Sequence, residues 1–214
     1  MSFKIINFRS KPKNNPFAPE WNYVLAETMI KDVDFLSLTK FFKRKEKSIL
    51  KLKPGSAGHT GLSSRSTTAR HESYNIFEWN NKELKKLKKA IMRLHNSFLN
   101  KLNLDINSKI YAKGWVNIMR KNECIKKHIH CWLPDAYLGG HICISCRGTS
   151  TYYINPINQI NFPATYRSHN KVGKLTLFQN CIPHYTDIHK FDEERITIAF
   201  DLFSVEKPGF IKLI

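Results

Sequence analysis

Near the end of the chain, the segment RITIAFDL alternates without interruption. Ile196, Ile198, Phe200 and Leu202 are apolar, and Arg195, Thr197, Ala199 and Asp201 occupy the positions between them. Successive side chains of an extended chain leave to opposite faces, whereas a helix would scatter this pattern around its circumference. The segment therefore predicts a strand with two unlike faces, one turned to an apolar core and the other carrying Arg195.

Shorter extended runs precede it at Trp115–Ile118, His141–Ser145, Thr151–Ile154 and Leu175–Phe178, divided by Gly, Pro and Asn. Upstream the period changes. Phe35, Leu38, Phe42 and Ile49 predict a helix between Asp34 and Leu50 that stops at Pro54-Gly55. Leu84, Leu87, Ile91, Leu94, Phe98 and Leu102 recur at steps of three and four and predict a second helix, with Asn80 or Asn81 as N-cap. Helices followed by many short strands point to an α+β chain with helices packed outside a β-sandwich. Residues 54–70, rich in Gly, Ser and Thr, read as a mobile surface loop that closes over a site or merely links elements. Residues 1–22, with Pro12, Pro16 and Pro19, read as an extended arm before a single domain over 23–214.

Five cysteines at irregular spacing and an N-terminal stretch without a signal-peptide apolar run suggest reduced thiols and a cytoplasmic location. No run of residues reaches membrane-span length, so no membrane association is expected. Lys plus Arg number 35 against 17 Asp plus Glu, a net charge of +18 that attracts polyanions and acidic protein surfaces. Lys43, Arg44, Lys45 and Lys47 on the first helix, with Lys85, Lys86, Lys88, Lys89 and Arg93 on the second, read either as solvated exteriors or as a nucleic-acid or nucleoprotein contact.

Chemistry concentrates in KKHIHCW, where His128 and His130 stand two apart and so share one face of an extended strand. His184, in the motif PHY, follows the apolar run KLTLFQNCI far downstream. Two imidazoles on one strand and a third from a distant strand can cover one face of an octahedral metal, leaving positions for other ligands. Arg195 offers a planar, permanently charged fork suited to a carboxylate.

The stretch from GWVNIMRKNECIKKHIHCW, through LGGHICIS and YYINP, to GKLTLFQNCIPHYTDIHKFDEERITIAFDL resembles the 2-oxoglutarate/Fe(II) oxygenase family found in many bacteria and their viruses. TGLSSRSTTARHESYNIFEW is similar as well, so the resemblance spans roughly residues 20 to 204. It implies a double-stranded β-helix, or jelly roll, over about 111–204. It also implies iron(II) at His128, His130 and His184, and the co-substrate 2-oxoglutarate at Arg195, with O2 as partner and hydroxylation as the outcome; the residues do not name the substrate, for which a protein side chain is the first expectation and a small metabolite or nucleic acid stays open. Related prolyl hydroxylases carry Asp or Glu where His130 stands, which makes Asp135 a further candidate for a carboxylate ligand. Family aromatic positions that contact the co-substrate are replaced here by His141, Ile142 and Cys143.

Other readings compete. Cys143 and Cys146 invite a zinc site with His128 and His130, but positions three apart on a strand face opposite ways. Cys131 and Cys181 read as packing residues, and His59, His71, His95, His141, His169 and His189 as surface or structural. Asp192, Glu193 and Glu194 are possible ion-pair partners that would draw Arg195 outward. A cupin-like metal protein would share the fold without using 2-oxoglutarate, and a basic binding protein with a degenerate oxygenase fold would use neither.

Overall fold

A computed structural model describes residues 2–55, 60–105, 109–130, 137–157 and 165–213. Two antiparallel sheets face one another in a double-stranded β-helix, with two helices outside. The larger sheet has seven strands in the order β1-β2-β7-β4-β9-β3-β10, and the smaller has three in the order β6-β5-β8. Their ranges are β1 Phe3–Ser10, β2 Trp21–Met29, β3 Tyr111–Met119, β4 Leu138–Ser145, β5 Ser150–Ile154, β6 Thr165–His169, β7 Lys174–Gln179, β8 His184–Thr186, β9 Arg195–Phe203 and β10 Ile211–Lys212. Among the described residues no helix is long and apolar enough to cross a membrane.

The alternating segment is β9, paired to β3 on one side and β4 on the other. Its Ile196, Ile198, Phe200 and Leu202 enter the main core, while Arg195, Thr197, Ala199 and Asp201 line a cavity between the sheets. The core side is closed by α1 (Phe35–Leu50) and α2 (Lys82–Lys101). Leu38, Phe42 and Ile49 of α1, and Leu84, Leu87, Ile91, Leu94 and Phe98 of α2, pack with Val24, Leu175, Leu177 and Ile142 of the sheet. Asp34 caps α1 by accepting a hydrogen bond from the Ser37 amide at 2.9 Å. Asn81 caps α2 by accepting from the amides of Glu83 and Leu84.

Two expectations change. Phe3–Ser10 is the edge strand of the larger sheet, in register with Trp21–Thr28, where an extended arm ahead of the domain was expected; the prolines lie in the connection between the two strands. The segment expected as a mobile loop over 54–70 is in its later part packed against β3. Residues 56–59, His59 among them, lie outside the described residues. A 3-10 helix spans Thr68–Ser73, and Thr68, Ala69 and Arg70 are buried. The reason lies in β3, whose edge needs acceptors where β10, only two residues long, does not reach. Thr67 Oγ1 accepts from the Ile118 amide at 3.1 Å, the Tyr74 hydroxyl from the Val116 amide at 3.1 Å, and Asn75 Oδ1 from the Gly114 amide at 3.1 Å. Side chains here replace a missing strand.

The Gly139-Gly140 pair lies inside β4, which begins three residues before the extended run expected at His141–Ser145. A Cβ on Gly140 would meet the Phe200 ring and come within 2.8 Å of the Thr176 carbonyl oxygen on the neighbouring strand. Backbone cannot yield as a side chain can. Gly140→Ala is therefore expected to lower stability by about 1–3 kcal/mol, measured by chemical denaturation against the unchanged chain; an equal midpoint and slope would contradict this packing.

Candidate metal centre

His184 opens β8 and is held in the smaller sheet by pairing with Tyr153. The segment carrying His128 lies against it. His128 donates its amide to the His184 carbonyl at 3.1 Å and His184 returns the bond at 2.9 Å. The Thr186 amide donates to the Ile125 carbonyl at 3.0 Å, and the His130 amide to the Asn180 carbonyl at 3.1 Å. Residues 125–130 thus run as an extended flank of β8. The extended geometry expected for the His-x-His pair is realised, with the two rings near parallel and 5.7 Å apart.

The His184 ring lies 4.3 Å from that of His128 and 5.0 Å from that of His130. One ligand nitrogen from each of the three falls within 4.8 Å of the others, and among the described residues this is the one cluster of its kind. Each imidazole has its Nδ1 engaged. His128 Nδ1 is 2.8 Å from the Lys126 carbonyl, His184 Nδ1 is 3.0 Å from the Ile182 carbonyl, and His130 Nδ1 is 2.6 Å from Asp201 Oδ1. Carbonyl and carboxylate oxygens accept only, so Nδ1 is the donor in each ring and Nε2 is the nitrogen left for another partner. That arrangement is the one a metal needs.

Burial acts in the same direction. Desolvation, then the neighbouring His130, pushes His128 down to about 4. His184, 6% exposed, is held well below the ordinary histidine range by desolvation and then by His128 and His130. Three imidazoles converging in this way form a candidate cation site. Phe178 packs against His184 and His130 at 4.6 and 5.1 Å, and Trp115 lies 5.8 Å from His130.

The same cavity, about 130 Å³, is lined by Arg195 as well as the three histidines. Arg195 is 2% exposed, its Nη1 rests 3.0 Å from the Met119 sulfur and its Nε has no partner. The three preceding acids do not draw it out. Asp192 pairs with Lys121, Glu193 with Arg147 and Glu194 with Lys43. A buried guanidinium with no carboxylate is costly unless a ligand completes it.

Several residues at the cavity were not singled out by sequence reading. Asp201 was visible only as one member of the inward row of β9, and the contact with His130 gives it a role. Gly139 allows that contact, since a Cβ there would stand 2.8 Å from His130 Nδ1. His141, expected at the surface or as structure, lines the cavity with Nε2 buried and unpartnered, while Nδ1 meets the Tyr153 hydroxyl at 3.1 Å. Thr68 and His71 reach the rim because their 3-10 helix covers β3. His95 is a core residue bonded to the Tyr137 hydroxyl at 2.7 Å, and His189 is buried outside the cavity. Cys143 is buried on β4, with its sulfur 3.6 Å from Asn170 Oδ1, and does not join the histidine cluster. Asp135 and Cys131 lie outside the described residues.

No protein-family model matches the chain, and no curated protein matches it in sequence. Solved structures do match its fold. A Pseudomonas putida prolyl-4-hydroxylase superposes with a TM-score of 0.59 at 9% identity, covering 85% of this chain and 93% of that one. The non-heme alpha-ketoglutarate-dependent epimerase SnoN from nogalamycin biosynthesis gives 0.57 at 9% identity, over 89% and 93% of the two chains. A non-heme monooxygenase, ThoJ, in a nickel complex, gives 0.53 at 8% identity, over 87% and 78%. At such identities the likeness establishes the double-stranded β-helix and leaves chemistry to the residues.

If Asp201 fixes the His130 ring, removing it should loosen the metal. Asp201→Ala is expected to weaken Co(II) binding by about 10- to 100-fold, with Asp201→Asn, which keeps an acceptor oxygen, recovering part of the loss. Absorption titration of Co(II) measures both; equal affinities in all three proteins would remove Asp201 from this role.

Proposed function

We propose that the chain is an iron(II)- and 2-oxoglutarate-dependent oxygenase, with iron held by His128, His130 and His184 and the co-substrate's distal carboxylate held by Arg195. One observation carries the reading: three imidazoles with free Nε2 atoms and a buried arginine without a carboxylate partner line a single small cavity. The fold shared with a prolyl-4-hydroxylase and an alpha-ketoglutarate-dependent epimerase supports it. A cupin-like metal protein would have no use for Arg195 at that depth.

Bound iron with 2-oxoglutarate would supply activation of O2 coupled to decarboxylation of the co-acid to succinate and CO2, the oxidising power going to a substrate C–H bond. The protein's own part is binding and exclusion. Arg195 supplies a charge-assisted, forked contact in a dry environment, where the carboxylate relieves an unpaired cation. His141 is turned toward the same space. With the Tyr153 hydroxyl donating to Nδ1, its Nε2–H becomes a second donor to the co-substrate, in place of the aromatic contacts the family resemblance leads one to look for. Phe178, Trp115 and Ile129 line the cavity and keep water from it.

Charge is arranged in an uncommon way. Non-haem iron sites of this type often use two histidines and one carboxylate. Here the third ligand is neutral, and Asp201, bonded to its Nδ1, sets a negative charge one imidazole away. Positive charge at the metal is thereby offset without the acid touching it.

Substitutions at two positions test the assignment. His184→Ala is expected to abolish iron binding and succinate production while circular dichroism stays that of the folded chain; stoichiometric iron in the purified variant would discard the ligand set. Arg195→Lys keeps the charge and loses the fork, so 2-oxoglutarate affinity should fall roughly tenfold, and Arg195→Met should lower it further, with iron affinity nearly unchanged. Anaerobic titration of 2-oxoglutarate into the iron(II) protein, followed by charge-transfer absorption, reads this directly. Unchanged affinity in both variants would exclude Arg195 from the co-substrate site.

A further inference from the structure

The helical layer carries charge that the cavity does not use. On α1 the exposed positions Lys40, Arg44 and Lys47, with Lys51 just beyond the helix, recur at steps of three and four and form one stripe. On α2 the exposed Lys82, Lys85, Lys89 and Arg93 form another. Each stripe covers eleven residue steps, about 16 Å of helix at 1.5 Å per residue. Both helices pack their apolar sides into one core against the larger sheet, so both stripes face away from it.

The acids that could neutralise this face are engaged elsewhere. Glu46, the acidic residue of α1, pairs with Arg120. Glu83 is buried, accepting from the Asp34 amide and from Lys86. Asp32 offsets Arg93 alone. Like charges three and four apart on a helix repel one another, and among the described residues no acid forms an ion pair with Lys40, Arg44, Lys47, Lys51, Lys85 or Lys89.

We infer that the α1–α2 face docks a nucleic-acid duplex through its phosphate backbone. A duplex carries a phosphate charge about every 1.7 Å of its axis with both strands counted, so a 16 Å row runs beside a length that holds roughly ten of them, a part of which turn toward it. An acidic protein partner fits less well. Protein interfaces are depleted in Lys and anchored by apolar or aromatic side chains, and Leu36 is the only large apolar side chain exposed on either helix among the described residues. A single strand fits less well too, because such sites stack bases on exposed aromatics, and Trp79 between the helices is already covered by Tyr74 and Lys45. Sequence-independent backbone binding is what lysine rows without base-reading groups provide.

The inference stands apart from the oxygenase reading, since this face lies across the sheet from the cavity. The test is fluorescence anisotropy of a labelled 20-base-pair DNA duplex from 50 to 200 mM salt. The unchanged chain should bind with a steep salt dependence, and the triple reversal Lys40→Glu, Arg44→Glu, Lys47→Glu should cost at least tenfold in affinity and flatten the logarithmic salt slope by about three. The exposed cations Arg9, Lys11 and Lys13 on the N-terminal hairpin provide a control with the same change in net charge; reversing them should alter affinity less than twofold. Equal losses from both reversals would show diffuse attraction to a basic chain and overturn the docking face. Absence of duplex binding at 50 mM salt would overturn it as well, and tighter binding of poly-glutamate, or of a single strand, at the same face would replace the assigned partner. Iron and 2-oxoglutarate binding should be unaltered in both triple variants.

Discussion

Strand β9 is hydrogen-bonded on both edges, and its side chains are divided between two environments that cannot mix. A shift of register by one residue would carry Arg195 and Asp201 into the apolar core and expel Ile196 and Phe200 from it. The pairing of β9 with β3 and β4 therefore fixes more than the sheet. It fixes where the cation and the acid stand relative to the histidines, since Asp201 is set against His130 by the same pleat that buries Phe200. Core packing and site geometry are two outcomes of one alternation.

The site has a clear electrostatic gradient. Burial favours the neutral form of His128 and His184, which backbone carbonyls orient, its acid is withdrawn behind His130, and its fixed cation lies deep beside Met119. On the proposed reading, such a cavity takes a divalent cation at one part and an anionic group at another. A dianion able to reach both would bring charges the protein itself leaves unbalanced.

Much of this was legible in the residues. The alternation of β9, the two helical stripes and the His-x-His spacing follow from periods of two and 3.6, and the structure reproduces them with Asp34 and Asn81 as caps. Phe3–Ser10 was not legible, because both of its faces are apolar. Phe3 and Ile5 join the helix-side core, Ile6 and Phe8 a second cluster with Leu25 and Tyr153, so no alternation marks the strand. The packing of Thr67–Asn75 on β3 was hidden because its bonds come from side chains that equally suit a solvated loop. Asp201 and His141 could be seen but not interpreted: their roles depend on partners, His130 and Tyr153, that adjoin them only after folding.

The Gly139-Gly140 dipeptide joins the two sides of the sheet in one further respect. Gly139 leaves room for the His130 ring and Gly140, one residue on and facing the other way, leaves room for Phe200. Neither space can be filled without moving the strand that also bounds the other. For anyone redesigning this scaffold, the cavity and the hydrophobic core are consequently not separable problems: enlarging Phe200 presses on the backbone that clears the histidine, and reshaping the histidine's surroundings shifts the floor on which Phe200 rests.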